Sequence, residues 1–75
     1  MQKSEFFEKL INTIEIEENV DESTILADIE EWDSLAAVTT LALFKKHLGL
    51  NITAENLKNC KTFNDILNLG ISEYK

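Results

Sequence analysis

The chain has 75 residues, with 14 acids against 7 lysines and a net charge of -7. That balance excludes surfaces built for nucleic-acid phosphates or anionic membranes. A single cysteine excludes an internal disulfide framework, and the absence of proline leaves little turn punctuation for a many-stranded β fold. No apolar run nears the roughly 20 residues of a membrane span and no signal-peptide pattern opens the chain, so one mostly helical, cytoplasmic domain over residues 1–75 is expected.

The first helix is expected from Ser4 to Ile16, with Ser4 as N-cap. Phe6, Phe7, Leu10, Ile11 and Ile14 recur at helical spacing and form one apolar stripe. Residues 17–33 lack a clean period and carry much of the charge. Residues 1–33 hold 11 acids and 2 lysines, a net of -9, whereas residues 34–75 hold 3 acids and 5 lysines, a net of +2. Such a charge keeps a small domain soluble and monomeric, and it also suits a docking surface for basic partners. Val20, Ile25, Leu26 and Ile29 are the apolar points expected to pin this long loop to the core. A loop of that length is uncommon in compact domains and is often functional.

The second helix is expected to start at Asp33, as N-cap, and to run to Leu48. Its inward stripe reads Leu35, Val38, Leu41, Phe44 and Leu48. Gly49 suits the left-handed position after a helix, and Lys45, Lys46 and His47 complement its carbonyl end. Thr53, preceded by Ile52 and followed by Leu57, signals a short third helix. Thr62 with Asp65 three residues on opens a fourth, which places Phe63, Ile66 and Leu67 inward and stops at Gly70. The expected fold is an all-α four-helix bundle, three longer helices and a short third one, with a long loop between the first two.

Most chemistry is excluded. His47, the one histidine, lies 13 residues beyond Ser34 on the same expected helix, about 20 Å away at the helical rise. It cannot activate a Ser34 nucleophile. One histidine and one cysteine do not make an ordinary zinc site, and Asp21-Glu22-Ser23 lacks the glycine and spacing of a calcium loop. No Gly-rich phosphate cradle is present, and Cys60 reads as a small core residue rather than a reactive thiol. Neither an enzyme nor a metal site is expected.

One constellation remains, Glu31-Trp32-Asp33-Ser34-Leu35, which puts a serine in the first turn of a helix after an acidic loop. Asp and Ser are good helix starters, which is reason enough for them structurally. The same corner has free N–H groups and the positive end of the helix dipole, so a phosphodiester on Ser34 would sit in a favourable field, partly opposed by Asp33. A corner serine is also reachable by another enzyme.

Over nearly its whole length the sequence resembles the acyl carrier protein family. Asp33-Ser34-Leu35 matches the family's Asp-Ser-Leu, with Val38 and Leu41 behind it, and the spacing from Ser34 to Ile52 and on to Thr62-Phe63 matches without a gap. The resemblance implies that Ser34 is the attachment point of phosphopantetheine, with Asp33 and Leu35 as its motif neighbours. The arm's terminal thiol would hold an acyl group as a thioester. It implies as partners a phosphopantetheinyl transferase and the acyl- or aminoacyl-loading and transferring enzymes.

The sequence departs from that family in three places. Trp32 and Glu31 stand where small residues, often glycine, are common. Ala36, Ala37, Thr39 and Thr40 replace positions often acidic in fatty-acid carriers, and Lys45-Lys46-His47 replace an acidic cluster. The outward face of the second helix then reads as neutral to basic, with Ala36, Thr40 and Leu43 as a mildly apolar strip. Fatty-acid synthesis enzymes dock to carriers through basic residues, so these departures point to a specialised carrier with its own partners. An aminoacyl or peptidyl carrier is the alternative, and a helical interaction module without a prosthetic group a further one.

Overall fold

Phe6, Phe44 and Phe63, one from each of three helical segments, are fully buried and form the centre of the molecule. The rings of Phe6 and Phe44 lie 4.8 Å apart, and Phe7 packs on Phe63 at 5.3 Å. The computed structural model describes residues 1–74. Its elements are α1 (Lys3–Ile14), α2 (Ser34–Leu43), α3 (Ala54–Lys58) and α4 (Phe63–Asn68), and α2 continues as a π-helical turn, Phe44–Leu48. At six residues, α4 is one residue longer than α3. Among the described residues no helix is long and apolar enough to cross a membrane.

The first helix differs from expectation at both ends. Its N-cap is Gln2, not Ser4, because Glu5 reaches back to accept the Gln2 backbone N–H at 3.4 Å. It stops at Ile14, not Ile16, because Glu15 adopts the left-handed conformation, with φ 63°. The Ile16 N–H then bonds the Ile11 carbonyl at 3.2 Å, and Ile16 turns back into the core.

Residues 17–33 are stitched down through backbone more than through side chains. Ile25 and Thr62 form an antiparallel bridge. The Leu26 N–H bonds the Lys61 carbonyl and the Asn64 N–H the Glu22 carbonyl, both at 2.8 Å. A short 3-10 turn, Leu26–Asp28, buries Leu26 and lets Ile29 follow it inward. Val20 is half-buried against the same core. Ile25, expected to be a pin, is 49% exposed; its contribution is the bridge.

The inward stripe expected for α2 is overturned at its first two positions. Leu35 is 74% exposed and Val38 61%, whereas Ala36, Thr40 and Leu43 are buried; of the expected stripe, Phe44 is fully buried as expected. The strip expected to face outward is therefore the core face. Ala36 and Thr40 are small, and the Thr40 hydroxyl donates to the Ala36 carbonyl at 2.8 Å, so a polar side chain enters the core with its hydrogen bond already made. Leu41 and Leu48, also expected inside, flank the core half-buried.

The remaining punctuation follows the sequence. Gly49 is left-handed, with φ 69°, and its N–H bonds the Lys45 carbonyl while Leu50 bonds Phe44. Asn56 and Thr53 exchange side-chain-to-backbone bonds at 3.2 and 3.1 Å, and Asp65 and Thr62 do the same at 3.2 Å in both directions. Asp65 also accepts from the Lys61 N–H at 2.9 Å. These backbone donors hold its carboxyl below the usual carboxylate range. After α4 the chain passes so close to α2 that a Cβ on Gly70 would stand 2.8 Å from a Leu48 methyl carbon.

Candidate functional site at the start of the second helix

Asp33 is extended, and its Oδ1 accepts the Ala36 N–H at 2.9 Å. The Asp33 carbonyl accepts the Ala37 N–H at 3.0 Å, which closes the first turn. Ser34 follows as the first helical residue, with its side chain exposed. First-turn N–H groups have no carbonyl four residues back, so those of Ser34 and Leu35 mark the positive end of the helix. Asp33, Ser34 and Leu35, which the sequence singled out together, are thus brought together on one rigid exposed corner.

Upstream, each step into that corner is tied down. The Trp32 N–H donates to the Ile29 carbonyl at 3.2 Å and the Asp33 N–H to the Glu31 carbonyl at 3.1 Å. Glu31 also accepts the Glu17 N–H at 3.3 Å through its side chain, fastening the end of α1 to the approach segment. A hydrogen bond from the Glu18 carboxyl holds Glu31 below the ordinary carboxylate range and pushes Glu18 above it.

Ser34 borders a groove of about 280 Å³ between α2 and α3. Trp32, Ala37, Val38 and Leu41 form one side; Ala54, Leu57 and Lys58 form the other. Apart from Ser34 at its mouth and Lys58, the lining is apolar. The walls from α3 were not visible in the sequence, where Leu57 announced itself only as half of a hydrophobic staple. The signal for Trp32 was a large aromatic at a position where the resembling family is small.

Other depressions do not carry chemistry. One, of about 640 Å³, lies at the end of α1 and is walled in part by Glu15, Glu17, Glu30 and Glu31. Among the described residues no three ligand-type side chains are grouped to hold a metal ion. His47 sits in the π-helical turn at the opposite end of α2 from Ser34. Burial, with Lys9 and Lys46 nearby, lowers its pKa. Cys60 is half-buried rather than in the core, its thiol donating to the Asn56 carbonyl at 3.4 Å, and burial pushes that thiol up. A thiol so placed is a poor nucleophile.

The family model for the phosphopantetheine attachment site matches residues 7–69. No curated protein and no solved structure gives a significant match. Domains of this family bear phosphopantetheine covalently on a serine, are not catalysts themselves, and work with a phosphopantetheinyl transferase and acyl-handling enzymes. The chain belongs to this family: it is a phosphopantetheine-bearing carrier, and the chemistry it serves is done by the group it holds and the enzymes it meets.

Proposed function

We propose that Ser34 is the acceptor of phosphopantetheine and that the chain is a specialised acyl carrier, a single monomeric domain acting in the cytoplasm. The observation that supports the site is the groove beginning at Ser34. The chain has four serines, Ser4, Ser23, Ser34 and Ser72, and only Ser23 and Ser34 lie within the matched residues. Ser23 belongs to a turn built on Asp21, which accepts its N–H at 2.8 Å. Ser34 alone combines an exposed hydroxyl, a helix N-terminus suited to a phosphodiester and an adjoining apolar groove.

When attached, the arm supplies a terminal thiol that carries the cargo as a thioester. The chain's own residues present it. Asp33 spends its side chain on the helix cap, which fixes the corner while Ser34 beside it stays exposed. Val38, Leu41 and Leu57 offer the cargo an apolar wall, and exposed Leu35 offers a visiting enzyme an apolar contact. The groove favours an acyl over an aminoacyl cargo, since its one charged wall residue, Lys58, would repel an ammonium group.

The test is intact mass after incubation with coenzyme A and a phosphopantetheinyl transferase. The parent is expected to gain the mass of one arm and Ser34→Ala none, with the fold kept because Asp33 still caps α2. Modification of Ser34→Ala at the parent rate would move the acceptor elsewhere. No gain by the parent with several transferases would favour the interaction module.

A further inference from the structure

Trp32 stands in the walls of two cavities. On one side is the groove that opens at Ser34. On the other is a second cavity of about 530 Å³, lined with it by Ile25, Leu26, Ala27, Cys60, Lys61 and Thr62. Its lining is also mainly apolar, and the bridge between Ile25 and Thr62 holds its two sides together.

The indole is anchored where it stands. Its backbone is tied to Ile29, and its ring meets Phe63 nearly edge-on, at 74° and 6.5 Å between centroids. Phe63 is fully buried and packs in turn on Phe7. A side chain tethered through an aromatic series to the core is a fixed partition rather than a swinging one.

Volume sets the consequence. An apolar cavity of about 150 Å³ holds a benzene ring, so the 280 Å³ groove takes a short or medium acyl chain. A long chain would need the second cavity as well, which would bring the apolar space reachable from Ser34 to about three times the groove alone. Trp32 lies between them. We infer that Trp32 is the end wall of the cargo groove and sets the longest acyl chain this carrier shelters, a longer one leaving its end in solvent. This rests on the attachment at Ser34 proposed above.

Cys60 supplies the readout, because it is the one cysteine in the chain and it lines the second cavity but not the groove. Arms bearing butanoyl, octanoyl or hexadecanoyl groups as stable amides carry no thiol, so a maleimide reports Cys60 alone. Intact mass follows loading first and labelling second in the same sample. In the parent, labelling rates are expected to agree within about twofold across the three chains, since the cargo stops at Trp32. In Trp32→Ala the hexadecanoyl chain is expected to enter the second cavity and slow labelling about tenfold relative to butanoyl, the occupancy gained by burying two further methylenes. Trp32→Leu, which keeps an apolar cover over Phe63, is expected to give a smaller slowing in the same direction, and thermal melts establish that each variant is folded.

Two results would overturn the partition. One is protection of Cys60 by hexadecanoyl in the parent as strong as in the variants. The other is a folded Trp32→Ala or Trp32→Leu in which chain length makes no difference. Failure of the parent to acquire an arm shows in the first mass measurement, before any label is added, and defeats the Ser34 attachment and the partition with it.

Discussion

The Thr40 hydroxyl donates to the Ala36 carbonyl at 2.8 Å, with Thr40 fully buried and Ala36 nearly so. One turn of α2 thus faces the core with its smallest side chains, while the larger Leu35 and Val38 stay outside beside Ser34. Large apolar side chains left exposed in that turn are available for contacts beyond the fold.

That inversion has a measurable consequence. Ala36→Leu overpacks the interface and should cost about 1–3 kcal/mol, whereas Leu35→Ser, on the exposed face, should stay within about 0.5 kcal/mol of the parent. Thr40→Val removes donor and acceptor demand together and should be nearly neutral. Urea melts of the three variants decide the matter. A costly Leu35→Ser beside a tolerated Ala36→Leu would restore the opposite face to the core.

The end of α1 offers a gain. Glu15 holds φ 63°, a conformation that costs a residue with a Cβ about 1–2 kcal/mol and glycine almost nothing. Part of that is returned through the greater freedom of an unfolded glycine. Glu15→Gly should therefore stabilise the protein by about 0.5–1 kcal/mol, seen as a higher urea midpoint with an unchanged slope. A lower midpoint would mean that the Glu15 side chain does more for the fold than its backbone strain takes away.

These two cases show what the sequence carries and what it does not. The starts of α2, α3 and α4 were legible because a cap is a local device: Asp33, Thr53 and Thr62 each bond a residue three positions ahead. The site corner was legible for the same reason. The core face of α2 was not, because Leu35, Val38 and Leu41 recur at the same period as Ala36, Thr40 and Leu43, and a period does not say which side is inside. Size favoured the wrong stripe. The left-handed end at Glu15 had no glycine to announce it, and the groove walls from α3 depend on how two distant segments pack.

Tyr74 predicts an alkaline transition. Its hydroxyl donates to the Leu67 carbonyl at 2.8 Å, and burial, followed by the charge of Glu22, pushes its pKa up to about 12. The unfolded chain releases that proton near pH 10, so the fold favours the neutral form. Its contribution is fully present below about pH 10 and is lost as pH rises toward about 12. The parent should lose stability across that window more steeply than Tyr74→Phe, which has no proton to release. Phenolate absorbance is specific, since the chain has one tyrosine. Native titration near pH 10, or identical pH profiles for the two proteins, would remove Tyr74 from the account.

Partner choice is the last consequence, and it follows from what α2 shows to solvent. No acid occurs between Leu35 and Leu50, and the exposed positions there include Leu35, Val38, Ala42 and Lys46. By the family resemblance, fatty-acid elongation enzymes dock through basic residues, which find nothing to pair with on this helix. Under the proposed specialised role, Leu35 and Val38 would instead offer apolar contact to the carrier's own enzymes. Charges at the rim of an interface act mainly on association rate and on which partner is accepted. The carrier should therefore be a weak substrate for elongation enzymes, and Ala42→Glu combined with Lys46→Glu should improve it, both positions being exposed. The gain is expected to be on the order of tenfold at low salt. It should shrink as the screening length falls to about 10 Å at 0.1 M, while the uncharged pair Ala42→Gln with Lys46→Gln should give little. Elongation assays on the loaded parent and both double variants, at low and moderate salt, make the comparison. Efficient elongation on the parent, or an improvement indifferent to charge or salt, would show that the surface of α2 does not select its partners.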